Sequence, residues 1–360
     1  MPARLPPDLL DRSAQEASRL LALSYLDQID AARDRLGDAL DQEALHDFRV
    51  GVRRLRSAVR AYRAELAGSV AGKMRRQLRD LARATNDGRD VEVQLGWLAK
   101  QTEYLEPDEV PGFFWLVGRL EDRKQKTHDR SVADVARRYR KAAGKLRRAL
   151  GVLRIELQTG QGQRLPTFRE VTGALAGQQV VRLREDLGRI RDANDADQAH
   201  QARISLKRLR YLLEPMARRN RRAGALVRRF KDAQDLLGEH HDMHVLSSAI
   251  AALRSGVSTS SFAGLDCGLA TLVRLADKAA LVAFDRFQAI WGGELGNRIL
   301  TRADELGRAL EEPVPVTSHE SRVTDHGPEV TVDESPPAQP ATAESPLLTG
   351  NSTALATRDS

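Results

Sequence analysis

The chain is poor in several things, and each shortage excludes something. One cysteine, Cys267, occurs in 360 residues, which rules out a disulfide framework and a thiolate metal site; Cys267 is expected to be a small core residue. Aromatic residues make up only 4%, too few for a protein that reads single-stranded nucleic acid by base stacking. No apolar run approaches the roughly 18 residues of a membrane-spanning helix. The opening MPARLPPDLLDRS lacks the apolar core of a signal peptide, so a cytoplasmic protein is expected. No segment shows sustained period-two alternation with β-branched residues, so no strand is expected. There is no GxxxxGK[ST] loop, GxGxxG, HExxH, GxSxG or Glu-x-Glu-x-Lys sequence, and no paired-carboxylate active site, so an enzyme is not expected.

What is present is helical and cationic. Residues are 41% hydrophobic and 30% charged, with Ala, Leu and Arg dominant, a composition that favours helix. The net charge of +7 conceals an imbalance. From Glu311 onward there are nine acidic and two basic residues and seven of the 14 prolines, a stretch that reads as a disordered acidic tail. The remaining body carries 55 basic and 41 acidic residues, a surface suited to polyanions.

The strongest pattern is HDFRVGVRRLRSAVR, His46 to Arg60. At 100° per residue, His46, Arg49, Arg53, Arg56 and Arg60 share one arc about 80° wide. Phe48, Val52, Leu55, Val59 and Tyr62 share another of the same width. The cationic arc holds no carboxylate, whereas solvated helices usually mix signs. The pattern recurs in HQARISLKRLR, His200 to Arg210, which places His200, Arg203, Lys207 and Arg210 in register with His46, Arg49, Arg53 and Arg56. Behind it run Leu206, Leu209 and Leu213. Leu78 to Val93 also aligns without a gap on Phe230 to Val245, matching Asp80 with Asp232, Asp90 with Asp242 and Arg79 with Lys231. The chain therefore reads as an internal duplication. A cationic ladder about 21 Å long suits a linear polyanion better than a small phosphate, and two such ladders related by a pseudo-two-fold axis would line one groove.

In order, residues 1–12 read as a loose lead-in and 13–157 as a first helical bundle. Residues 158–168 read as a linker, 169–310 as a second bundle and 311–360 as the tail. Ser13 is expected to cap a helix running to about Leu40. Helices follow over 43–66, closed by Gly68, and over 70–85. Asn86-Asp87-Gly88 then makes a turn, and more helices cover 90–104, 113–128 and 132–155. The second half predicts helices over 169–191, 197–219, 222–237, 240–254 and 265–291, with a loop at 255–264. Pro215 is expected to kink or end its helix. His240 and His244 have metal-chelating helical spacing, but the first-half counterpart, Gly88 to Glu92, has no histidine, so no metal is expected. Asp90 and Asp242 are expected to cap a helix or pair with a basic residue.

The doubled HDFRVGVRRLRSAVRAY and HQARISLKRLRYLLE segments, with Ala233-Gln234-Asp235-Leu236-Leu237-Gly238 and His241-Asp242 after the second, resemble the signature of CHAD domains, the conserved histidine α-helical domains. The first-half equivalent, Ala84 to Asp90, keeps Arg-Asp but lacks Leu-Gly. The resemblance spans roughly residues 13–300 and implies an all-α fold: two helical bundles related by internal duplication and pseudo-two-fold symmetry. It also implies a basic groove between them that binds inorganic polyphosphate without a cofactor. Carried onto this sequence, the contacts are His46, Arg49, Arg53, Arg56, Arg60, His200, Arg203, Lys207 and Arg210, with Arg79 and Lys231 added from the following helix. Relatives often carry a triphosphate-hydrolase domain upstream; here a stand-alone domain is expected, associated with polyphosphate granules. Other phosphate polyanions, nucleic acid on the same surface and an accessory role to a phosphohydrolase stand as alternatives.

Overall fold

The computed structural model describes residues 5–38, 41, 43–85, 87–152, 164–255 and 263–312. Most of the expected linker at 158–168, most of the loop at 255–264, Asn86 of the expected turn and the tail beyond residue 312 lie outside them. The described residues are mostly helical, joined by turns: α1 (Ala14–Arg35), α2 (Glu43–Ala61), α3 (Gly72–Ala84), α4 (Asp87–Leu98), α5 (Val110–Gly151), α6 (Phe168–Gly188), α7 (Ala196–Leu213), α8 (Arg221–Ser255), α9 (Ala263–Trp291) and α10 (Glu294–Glu311). Among them there is no strand, only one isolated antiparallel bridge between Ser13 and Thr167. No described helix is long and apolar enough to cross a membrane.

Local chemistry sets the helix starts. Ser13 Oγ accepts from the Glu16 amide at 3.3 Å, the expected cap. Asp41 Oδ1 accepts from the amides of Glu43 and Ala44 at 3.1 and 3.0 Å and so opens α2. Arg35 donates to both Asp41 and Asp47, tying the end of α1 to the start of α2. Thr167 and Glu170 form a reciprocal capping box at α6. At the other ends, Pro215 does what its ring dictates: α7 stops at Leu213 and a short 3₁₀ turn, Glu214–Met216, follows.

Several boundaries differ from expectation. α1 ends at Arg35, short of Leu40. α2 ends at Ala61, well before Gly68, and the chain continues in turns pinned by the buried side chains of Tyr62, Leu66 and Val70. α5 and α8 are continuous where two helices each were expected. Neither Asp90 nor Asp242 caps a helix start: Asp90 lies in the first turn of α4 and Asp242 in the middle of α8. Cys267 is exposed on α9, its Sγ 3.9 Å from Asp108 Oδ2, and is not a core residue.

Packing follows the apolar arcs. Phe48, Val52, Leu55, Val59 and Tyr62 are all buried, with α1, α3 and α5 around them in the first core. Gly51 lets α1 and α2 approach closely: a Cβ there would lie 2.6 Å from Ile29 Cγ1. Leu206, Leu209 and Leu213 join α6, α8, α9 and α10 in a second core. A third core is shared by α4 and the start of α5 with the later part of α8 and the first part of α9. The third core mixes elements from both expected halves because α8, 35 residues long and therefore about 52 Å, outruns the bundle it begins in.

Candidate functional site: converging cationic rows on α2 and α7

The two cationic arcs come together because α2 and α7 pack against one another and a single carboxylate fixes their register. Arg54 Nε of α2 lies 2.9 Å from Glu214 Oε2, and Arg210 Nε of α7 lies 3.3 Å from Glu214 Oε1. Arg210 also stands over the Tyr211 ring at 4.7 Å. Glu214 thus serves as a strut beneath the site, while the cations beyond it face one another.

Lys207 is the centre of that arrangement. It is half-buried and pushed down to about 7, first by burial and then by the like charges of Arg203, Arg53, Arg210 and Arg56. Two of those arginines come from α2 and two from α7, so the rows predicted from the sequence do meet. Burial, then Arg60, Arg83 and Arg79, lowers the Arg56 guanidinium. Burial, then Arg60 and Arg182, lowers Arg208. The Nε atoms of Arg203 and Arg208 are buried and donate to no acceptor. Buried charged donors without partners are expensive; Arg19 Nη1 and Arg169 Nε, away from these rows, share that condition.

Histidines stand at one end. The His200 and His241 rings lie 4.6 Å apart, centre to centre. Both are pushed down, chiefly by burial; His241 and Arg203 act next on His200, and Arg203 and His240 next on His241. The His200 Nδ1 is buried without a partner. Asp197 near His200 and Asp90 near His241 pull the other way and limit the effect. Neutral imidazoles remain donors to phosphate oxygens.

The expected residues divide by what they touch. Arg56, Arg60 and Arg79 are exposed and clustered, Arg79 also standing 3.6 Å from Asp80, and His46 is half-buried at the start of the row. Arg49 is different: it is buried, its Nε donates to the Thr85 carbonyl at 2.8 Å and its Nη1 to Glu92 Oε2 at 3.1 Å. It joins α2 to the end of α3 and to α4 and offers little to a ligand. Lys231 is exposed and paired with Asp235 at 2.7 Å. Aligned residues therefore need not share roles. Arg49 is an internal tie, whereas its match Arg203 lies over Gly238 of α8, 3.4 Å from where a Cβ would stand. Arg54 is neutralised by Glu214, whereas its match Arg208 is not.

Sequence reasoning missed Arg83, Arg182, Arg208 and His241. Arg83 follows Arg79 by one helical turn, and laying HQARISLKRLR over HDFRVGVRRLR matches Arg208 with Arg54, so signals existed. His240, by contrast, is a packing residue: Nδ1 faces the Ala280 carbonyl at 3.2 Å and the ring lies 5.4 Å from Phe284. Among the described residues no group of three or more His, Cys, Asp or Glu side chains is placed to hold a metal.

Comparison with known proteins bears on the fold and the family. The CHAD domain of the plant Ricinus communis superposes with a TM-score of 0.59 at 21% identity, covering 84% of this chain and 95% of that one. PptA from Streptomyces chartreusis superposes with a TM-score of 0.61 at 14% identity, covering 78% of this chain and all of that one. No curated protein matches at a significant level. At these identities the likeness is one of fold. The CHAD domain family model matches residues 21–251, most of the described chain and both cationic rows, and the chain belongs to the CHAD domain family.

Proposed function

We propose that the protein binds inorganic polyphosphate along the cationic rows of α2 and α7, without hydrolysing it. The observation that carries this reading is the meeting of Lys207 and Arg208 of α7 with Arg56 and Arg60 of α2 around one cleft, where burial and then Arg203, Arg53, Arg210 and Arg56 push the Lys207 ammonium down. Such a cluster costs the empty protein stability and is relieved by a ligand bearing many negative charges in a row. Arg53 to Arg60 and Arg203 to Arg210 each extend about 10 Å, room for several consecutive phosphates, and arginine forks match phosphate oxygens. Arg49 and Arg54 are left out of the binding set, because Glu92 and Glu214 already occupy them, and Arg210, which shares Glu214 with Arg54, only closes its row. A linear polyanion bound this way exchanges condensed counterions for guanidinium groups, so affinity rises with chain length and falls steeply with salt. Binding of this kind would also carry the protein to polyphosphate granules.

The test is titration of the purified protein with polyphosphates of graded length across a salt series, with duplex DNA as competitor. Length-dependent affinity that long polyphosphate retains against excess DNA is expected, as is its loss in the double variant Arg56→Glu, Lys207→Glu. Equal affinity for DNA and polyphosphate, or unchanged binding in the double variant, would overturn the reading. Steady release of phosphate from the polymer with magnesium would overturn its non-enzymatic part.

A further inference from the structure

The cleft where the cationic rows meet has a volume of about 340 Å³ and lies between α2, α6 and α7. It has two kinds of wall. Arg56 and Arg60 from α2 and Arg208 from α7 give it cations, and no carboxylate lines it among the described residues. Ala58, Ala61, Leu175, Ile204 and Leu212 give it apolar surface. Lys207 lines it too, three residues after Ile204 and four before Tyr211, and so shares a face of α7 with both. Burial, then Arg203, Arg53, Arg210 and Arg56, pushes this amine down to about 7. The other groups near it do not restore the charge. Its influence on His200 is repulsive as well. The Glu214 carboxylate is taken up by Arg54 and Arg210, and α6 brings the uncharged Gln179 to the cleft. An ordinary lysine at neutral pH is almost wholly ammonium; an amine freed of its proton is a nucleophile.

Polyphosphate uses the cations of this cleft and leaves its apolar wall and its nucleophile idle. A small acyl phosphate uses all three. We propose that Lys207 is a site of modification by small acyl phosphates, with the phosphate held by Arg56, Arg60 and Arg208 and the acyl group against the aliphatic wall. The Lys207 nitrogen attacks the acyl carbon and an amide C–N bond forms. The C–O bond to phosphate breaks, its electron pair stays on the phosphate oxygen, and the proton lost by nitrogen goes to the departing phosphate. The arginines that hold the phosphate also stabilise the charge it gains as it leaves. The cleft lies at the small end of ligand pockets and admits an acetyl or propionyl group. The product is uncharged, so the modified protein loses the central cation of its rows. The modification needs one phosphate in the cleft and no long chain; only its effect on polyphosphate affinity rests on the polyphosphate reading.

The test incubates the full chain with acetyl phosphate or, separately, with p-nitrophenyl acetate, which carries the same acyl group and no phosphate. Peptide mass spectrometry then follows acetylation at each lysine, with the exposed Lys100 as internal reference. With acetyl phosphate at about pH 7.5, Lys207 is expected to react at least tenfold faster than Lys100: its larger neutral fraction is worth nearly three powers of ten, and its lower basicity returns part of that. The Lys207 rate is expected to level off above about pH 7, while the Lys100 rate keeps climbing. The ratio of Lys207 to Lys100 is expected to be larger with acetyl phosphate than with the ester. Arg60→Gln combined with Arg208→Gln removes two holders of the phosphate, and is expected to bring the acetyl phosphate ratio down to that of the ester. Equal rates at the two lysines, a Lys207 rate that still climbs beyond about pH 9, or a ratio no larger with acetyl phosphate than with the ester overturns the proposal; polyphosphate binding by the unmodified protein is untouched by any of these. Conversely, selective acetylation that leaves long-chain polyphosphate affinity unchanged keeps the modification site and overturns the polyphosphate reading.

Discussion

Lys207 makes affinity a function of pH in a way that can be worked through. In the empty protein its ammonium is pushed down to about 7 from an ordinary 10.5, by burial and by Arg203, Arg53, Arg210 and Arg56. A bound polyanion supplies the missing counter-charge and returns the group toward its ordinary range. Well below pH 7 Lys207 is charged in both states and contributes no pH dependence. Above 7 the free protein must take up a proton to bind, at about 1.4 kcal/mol per pH unit. Affinity therefore falls as pH rises, by roughly twentyfold between about pH 6.5 and pH 8.5 for one linked proton. Titration calorimetry in two buffers of different ionisation enthalpy reads the proton directly, and uptake of close to one proton is expected near pH 8. Lys207→Arg keeps the charge and removes the titration, so it is expected to flatten the profile above neutrality while preserving affinity. His200 and His241, also pushed down by burial, contribute only on the acid side. A wild-type profile that is flat from pH 6.5 to 8.5, or one that Lys207→Arg leaves unchanged, would refute this account of the site.

Three further outcomes follow from the same geometry. Lys207→Met, which removes a half-buried charge among like charges, is expected to stabilise the empty protein by about 1–2 kcal/mol at pH 6.5 while weakening polyphosphate binding; thermal unfolding with and without ligand checks both halves. Arg49→Met leaves Glu92 and the Thr85 carbonyl without their partner and is expected to cost about 1–3 kcal/mol in urea unfolding, with little change in affinity once folded. Glu214→Gln removes the counter-charge of Arg54 and Arg210 together, and is expected to lower stability by about 2–3 kcal/mol and to be partly rescued by saturating polyphosphate.

Much of this protein was legible because helix periodicity is a local property. The apolar arc of α2 and the leucines of α7 are buried as their spacing predicts, Ser13 caps α1 and Pro215 ends α7. The rows converge because those apolar arcs pack where they must, and their cations follow. What periodicity does not contain is the neighbour that passes overhead. Arg49 shares its arc with Arg53 and Arg56, yet Glu92 of α4 accepts from it at 3.1 Å, so an expected ligand contact becomes an internal tie. The sequence predicts separate helices over 222–237 and 240–254, yet α8 continues through Gly238, where the Arg203 guanidinium of α7 packs over the turn. The equivalence of the aligned segments fails for the same reason: Arg54 meets Glu214, and Arg208 meets Arg60 and Arg182 with Asp186 as a weaker counter-charge.

The continuity of α8 has a consequence for how the protein comes apart. One uninterrupted helix supplies Phe230, Ala233 and Leu237 to the second core and Met243, Leu246 and Ile250 to the third, with α9 running beside it through both. Neither core can melt alone without fraying α8 in mid-length, where each broken turn frees backbone donors and acceptors from their helical partners. The two cores are thereby coupled into a single cooperative unit, and amides on either side of Gly238 exchange with solvent through the same opening event rather than through two.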